Sequence, residues 1–141
     1  MKRCSSAILT LSTVNARDAV PEPAAALTGA IFYAGAWKGV LLLECSEDQA
    51  RDWTSRLMGV PDPTPDDARD GLGEVTNVLA GNLKRLLAPG VGISTPTVIA
   101  GSDYGFHISR EGRTERVAFT DDQGTFQVTF VLTGDAPAGA A

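Results

Sequence analysis

The chain has one histidine, two cysteines and no long apolar run, and each shortage removes a class of function. His107 stands beside Phe106 in an apparent strand, with no cysteine or carboxylate at ligand spacing. A zinc site and a Ser-His-Asp triad therefore both lack their parts. Cys4 and Cys45 lie far apart in sequence; a cytosolic chain keeps such thiols reduced. Cys45 ends an apolar run and reads as a small core residue. No GxxxxGK[ST] loop is present to cradle a nucleotide phosphate. No apolar stretch approaches the roughly 20 residues needed to span a bilayer, and Met1-Lys2-Arg3 with its Ser- and Thr-rich continuation makes a poor signal peptide. The expected location is the cytoplasm, away from the membrane. With 12 basic against 17 acidic residues, a net charge of −5, there is no electrostatic case for nucleic acid.

What is present is an ordinary soluble composition, 43% hydrophobic and 21% charged over 141 residues, enough for one domain with a real core. Residues 5–14 are ambiguous between a strand and the end of a helix, and residues 15–24, with Pro21 and Pro23, read as a loop. Residues 26–34 and 37–45 read as two strands joined by a tight turn at Gly35-Ala36. Leu41-Leu42-Leu43 suggests a strand buried on both faces or lying in a helix-covered sheet. Trp37 is expected to pack at the sheet end. Ser46 with Gln49 forms a capping box for a helix whose inner face is Ala50, Trp53 and Leu57, ended by Gly59. Thr64 caps the next helix, with Pro65 at its first position and Asp66 and Asp67 at its positive end. That helix runs to about Ala88, before Pro89-Gly90.

Residues 92–100 read as one strand, at an edge or bulged, because Pro96 cannot donate to a ladder. Residues 104–109, 114–120 and 125–132 read as a meander turning at Glu111-Gly112 and Asp122-Gln123-Gly124, with Phe126, Val128, Phe130 and Leu132 facing the core. The expected fold is α+β, a largely antiparallel sheet of about six strands with two principal helices packed on one face. The domain is expected over 1–133, with a disordered tail over 134–141.

The second helix carries the informative residues. A helix advances about 100° per residue. Ala68, Leu72, Val75, Leu79, Leu83 and Leu86 recur at steps of three and four as one apolar stripe. Asp70, Glu74, Asn77, Gly81 and Lys84 form a second stripe roughly opposite. Glu74 and Asn77 stand one turn apart and can address one target together. A glycine inside a helix costs about 1 kcal/mol relative to alanine. Gly81, with Gly73 on the same exposed side, therefore suggests a docking face that a partner approaches closely. A polar outer face is also the default for any surface helix, and Gly81 could equally mark a helix crossing within the fold. Asn82 falls near the apolar stripe and is expected to be a buried amide.

The stretch Gly73-Glu74-Val75-Thr76-Asn77-Val78-Leu79-Ala80-Gly81-Asn82 resembles the signature G-E-x-x-N-x-x-x-G-N of the CheX/CheC family, phosphatases of response-regulator receiver domains. Leu27-Thr28-Gly29-Ala30-Ile31 with Gly39-Val40-Leu41-Leu42-Leu43, the stretch Ala50 to Gly59, and Ser94-Thr95-Pro96-Thr97-Val98-Ile99 resemble the flanking blocks in order and spacing. Coverage is roughly residues 25–133, with residues 1–24 matching poorly. A single E-x-x-N helix favours the CheX branch.

The resemblance implies a phosphorylated receiver domain as partner and hydrolysis of its aspartyl phosphate, with Asn77 orienting water and Glu74 pairing with a lysine near the phosphorylation site. The exposed stripe itself offers Asp70, Gly73, Gly81 and Lys84 as docking residues beside that pair. The resemblance also implies no cofactor of the chain's own, Mg2+ in the receiver, and a homodimer. The competing readings are a non-catalytic receiver-binding module and a dimeric scaffold joined at a sheet edge.

Overall fold

A computed structural model of the chain describes residues 12–14, 26–87, 90–100 and 112–133. Seven strands and two helices follow in the order β1 (Ser12–Val14), β2 (Ala26–Gly35), β3 (Lys38–Ser46), α1 (Glu47–Met58), α2 (Pro65–Leu86), β4 (Val91–Ile93), β5 (Thr97–Ala100), β6 (Gly112–Asp121) and β7 (Gly124–Thr133). Every strand pairing among the described residues is antiparallel, and the sheet order is β1-β6-β7-β3-β2-β4, with β5 also on β2. Because β4 and β5 share one flank of β2, the seven strands fill six positions. That agrees with the α+β expectation. The expected strand over 104–109, and the segments 15–24 and 134–141, lie outside the described residues.

The centre of the sheet is β3. Its Leu41, Leu42 and Leu43 are buried whichever way they point, because both faces of this strand are covered, as the unbroken leucine run suggests. Leu43 and Cys45 join Leu27, Ala50, Trp53, Ala68, Leu72 and Phe126 in one cluster beneath the helices. Ile31, Tyr33, Trp37, Leu41, Ala80 and Val91 form a second. Ala30, Val40, Leu42 and Val131 form a third, on the opposite face. Phe126, Val128, Phe130 and Leu132 alternate into the helix-side clusters as their spacing predicts. Trp37 stacks on Tyr33 with ring centroids 5.3 Å apart and meets Phe130 edge-on, closing the end of the sheet.

Both helices begin at full capping boxes. Ser46 accepts from the Gln49 N–H at 3.0 Å while Gln49 Oε1 accepts from the Ser46 N–H. Thr64 and Asp67 do the same for α2. Caps of this kind are worth about 1 kcal/mol each. Gly59 ends α1 in the left-handed conformation, φ 69°. Helix α2 stops at Leu86 rather than Ala88, because Leu87 is already extended, φ −99° and ψ 175°, two residues ahead of Pro89.

The segment read as one strand over 92–100 is two. Tyr33 pairs with Ile93, but Ala30 pairs with Thr97, so three residues on one side oppose two on the other. The extra residue is a bulge at Ser94-Thr95-Pro96. Ser94 repairs the ladder there: its N–H donates to the Phe32 carbonyl at 2.9 Å, and its hydroxyl accepts from the Phe32 N–H at 3.0 Å.

Burial shifts two titrating groups in the core. The Tyr33 hydroxyl, which donates to the Ala80 carbonyl at 2.9 Å and so ties β2 to α2, is pushed up from 10.0 to about 12. Burial, aided by the Asp121 and Glu44 carboxylates, also drives the Cys45 thiol well above its ordinary 9.0. The folded chain keeps both protons after the unfolded chain has begun to release them, so stability is complete below pH 9 and falls as pH rises through 10 toward 12. Tyr33 contributes on the order of 2 kcal/mol of that loss. Urea unfolding at several alkaline pH values should show the decline. Tyr33→Phe should make it shallower above pH 10 by removing the phenol's share; an unchanged slope would show that the Tyr33 proton is not held.

Candidate functional site

The site is the outward side of α2, and small residues on its inward side place it there. Thr76 is fully buried, its hydroxyl donating to the Leu72 carbonyl at 2.7 Å. It lies so close over Gly29 of β2 that a Cβ on Gly29 would fall 2.2 Å from the Thr76 oxygen. One turn earlier, Gly71 crosses Thr54 of α1, where a Cβ would lie 1.9 Å from the hydroxyl and 3.3 Å from the Thr54 Cα. Only glycine permits either approach. These two contacts set the depth and the rotation of the helix.

With Leu72, Thr76 and Ala80 inward, the rest of the face follows from about 100° per residue. Glu74 points almost directly away and is exposed, as is Asp70; Asn77, a quarter-turn round, is half-buried, as are Gly81 and Lys84. Among the described residues neither the Glu74 nor the Asn77 side chain is held in a hydrogen bond or ion pair. Gly81 has nothing within 4 Å of the position of a Cβ, so it leaves open surface rather than a helix crossing among the described residues.

Three expectations for this helix need correction. Gly73 is not exposed. It is buried beneath Pro96 and Val98, with a Cβ position 3.6 Å from Pro96, because the bulged edge strand folds over it. Asn82 is not a buried amide; it is exposed, accepting from the Arg85 guanidinium. Leu86, expected in the apolar stripe, is 82% exposed, since the helix has run past the sheet by then. On α1, Leu57 is also half in solvent at 51%, not wholly inside.

Glu74 stands between two concavities. On the β5 side is an open depression of about 500 Å³ lined by Arg69, Asp70, Gly73, Glu74, Pro96 and Val98. On the α1 side is an apolar groove of about 320 Å³ lined by Leu57, Met58, Val75, Val78, Leu79 and Glu74. The sequence reading missed Arg69 and Pro96 as walls of the first, although the ladder-breaking proline was the signal that something irregular sat there.

The chemistry available is a carboxylate that accepts and an amide that both donates and accepts. Cys45 offers no nucleophile, since it is buried and its raised pKa keeps it a thiol. Among the described residues no group of three or more His, Cys, Asp or Glu could hold a metal ion, and no helix is long and apolar enough to cross a membrane.

An antiparallel sheet with two helices on one face, displaying an E-x-x-N pair from the longer helix, defines the CheC-like class of fold. Residues 27–120 match the family model described as chemotaxis phosphatase CheX, and the chain belongs to that family. The structure is similar to chemotaxis protein CheX from Vibrio vulnificus, with TM-score 0.69 and 23% identity over 89% of this chain and 85% of that one. It is similar to CheX from Desulfovibrio desulfuricans, with TM-score 0.63 and 17% identity over 92% and 91%. It also resembles a chain of the CheX-CheY-BeF3-Mg2+ complex from Borrelia burgdorferi, with TM-score 0.61 and 20% identity over 93% of each. At these identities the likeness establishes the fold. No curated protein matches the chain.

Two glycines of α2 should respond oppositely to one substitution. Gly71→Ala gains about 1 kcal/mol of helix propensity but drives a methyl group into Thr54 of α1, for a net loss of about 1–2 kcal/mol. Gly81→Ala meets open space and should stabilise by up to about 1 kcal/mol. Urea midpoints moving the same way in both variants would contradict the packing described.

Proposed function

We propose that the protein is a phosphatase for the aspartyl phosphate of a receiver domain, working from the exposed face of α2. The observation that carries this reading is the display of exposed Glu74 and half-buried Asn77, one turn apart and unengaged among the described residues, from the outward half of a helix pinned to the sheet, in a chain of the chemotaxis phosphatase CheX family. The Borrelia burgdorferi complex joins CheX to CheY with BeF3 and Mg2+. By that likeness the partner proposed for this chain is a CheY-type receiver carrying its own Mg2+, in the cytoplasm.

An acyl phosphate is already reactive, and a magnesium ion in the receiver neutralises its phosphoryl oxygens. The hydrolase needs only to hold a water in line. In the proposed arrangement Asn77 does this, its amide accepting from the water through oxygen and donating through nitrogen. The water oxygen bonds to phosphorus, the bond to the aspartyl oxygen breaks, and that oxygen leaves as a carboxylate needing no proton. The proton released from the water passes to the phosphate or to solvent. Glu74 pairs with a lysine at the receiver's phosphorylation pocket and fixes the helix in register. Asp70 and Lys84 flank the docking face, Gly81 lowers it, and Gly73 lets Pro96 close over its floor. Positioning of this kind supplies several kcal/mol of barrier reduction. The proposed assembly is a homodimer, as the resemblance implies.

The test is phosphate release from a panel of phosphorylated receivers with wild type and Asn77→Ala side by side. The expected result is accelerated decay with wild type, about 100-fold lower with Asn77→Ala, while the variant still binds the receiver. Full activity in Asn77→Ala would sink the assignment. Binding without acceleration by the wild type would favour the docking module instead.

A further inference from the structure

We infer that the apolar groove between α1 and α2 is the second half of the receiver-docking surface, taking an apolar side chain that the receiver projects beside its phosphorylation pocket. This inference rests on the receiver reading above and adds what that reading leaves open, how the chain selects one receiver among many.

The groove is continuous with the proposed site. Glu74 lines it together with Leu57, Met58, Val75, Val78 and Leu79. Val78 follows Asn77 in the chain and lies one turn on from Glu74, so a partner seated over that pair also covers Val78. Val78 is 54% exposed, Leu57 51% and Met58 37%. Large apolar side chains standing together at a helix–helix seam, next to an interaction site, form the kind of patch that soluble monomers use for binding. Methionine at its rim adapts to differently shaped partners.

A second apolar hollow adjoins the groove. Leu57, Val75 and Leu79 separate the groove from this cavity of about 250 Å³, which Trp53, Phe119 and Phe126 help to line. The cavity's one carboxylate is already engaged: Asp121 accepts from Trp53 Nε1 at 3.1 Å, from Gln49 Nε2 at 3.3 Å and from the Gln123 N–H at 2.9 Å. What is left for a guest is apolar. An apolar side chain pressed against Leu57, Val75 and Leu79 therefore meets aliphatic surface continuous with a second apolar hollow. The ionic contact through Glu74 suits any receiver with a lysine at its pocket. Only a receiver with an apolar side chain at the right distance also fills the groove.

The test compares wild type with the double variant Met58→Ser/Val78→Ser, whose neutral side chains leave the charge balance alone. Hydrolysis is followed against receiver concentration, and Kd is measured for the same receivers held in the beryllofluoride-activated form, at low salt and at about 0.5 M salt, where exposed ionic contacts are screened. The expected result is a KM and a Kd raised tenfold or more, in the same proportion at both salt concentrations, with kcat lowered less than threefold. A KM and Kd within twofold of wild type would overturn the inference while leaving the phosphatase reading intact. Conversion of the double variant from dimer to monomer in sedimentation would overturn it too, by assigning the groove to a second copy of the chain. If the wild type neither hydrolyses nor binds any receiver, the receiver reading has failed and this inference falls with it.

Discussion

The near-contact between Thr76 of α2 and the backbone of Gly29 of β2 governs the rest of the architecture. A helix resting on large side chains can roll by tens of degrees while those side chains change rotamer. A helix seated on glycine has less freedom, because the glycine side has no rotamers and the threonine hydroxyls that meet it are tied to the Leu72 and Ala50 carbonyls. Gly71 against Thr54 adds a second fixed point on the other helix, and the Tyr33 hydroxyl on the Ala80 carbonyl a third, farther along the axis. Three points, two on β2 and one on α1, determine depth, tilt and roll. Once roll is fixed, the outward direction of Glu74 and the sideways direction of Asn77 follow from helical geometry alone, and neither residue needs a supporting hydrogen bond to be aimed.

This constraint also explains what could and could not be read from the sequence. The strands of the β2–β3 hairpin, both helix N-caps, the glycine stop after α1 and the alternation in β7 were legible. Each rests on a local rule that one short segment satisfies by itself. The inward face of α2 was legible only in part. Apolar periodicity picked out Ala68 and Leu72 correctly, and Val75, Leu79 and Leu83 pack half-buried against the core, but Leu86 is exposed. The fully buried positions are Ala68, Gly71, Leu72, Gly73, Thr76 and Ala80, most of them small residues that the stripe did not include. Periodicity weighs side chains by size, whereas the closest helix–sheet approach selects the smallest. Gly71 and Gly29 were visible as residues unfavourable in a helix and a strand, yet a glycine does not name its partner. Gly73 and Asn82 were misplaced for a related reason: the phase of the helix was taken from the leucines and not from the crossing.

The edge strand shows the same limit from the other side. Pro96 announced an interruption in the ladder. What the interruption does depends on a register that sequence does not contain. The extra residue between Ile93 and Thr97 carries Pro96 over Gly73 and so converts a sheet edge into one wall of the depression beside Glu74. An irregularity that costs the sheet a hydrogen bond, partly repaired by Ser94, thus supplies shape at the place where the exposed pair stands. Conflict between a local rule and its surroundings is most often found at functional positions, and this bulge lies against the proposed one.

A chain with a buried thiol as its one described cysteine, and no metal-holding cluster among its described residues, is an improbable hydrolase if it must carry all of its own chemistry. It is an adequate one if the substrate carries most of it. On the proposed reading the receiver contributes the activated phosphoryl group and the metal that neutralises it, and this chain contributes an amide held at a fixed angle. The selective demand then falls on rigidity and fit, not on reactivity. A pair of residues as unremarkable as glutamate and asparagine can serve because the helix beneath them is held at three points. The same division of labour makes the surfaces flanking the pair more informative about biological role than the pair itself. On that reading any receiver offers an aspartyl phosphate, and the proposed basis of choice among receivers is the bulge-walled depression on one side of Glu74 and the apolar seam on the other.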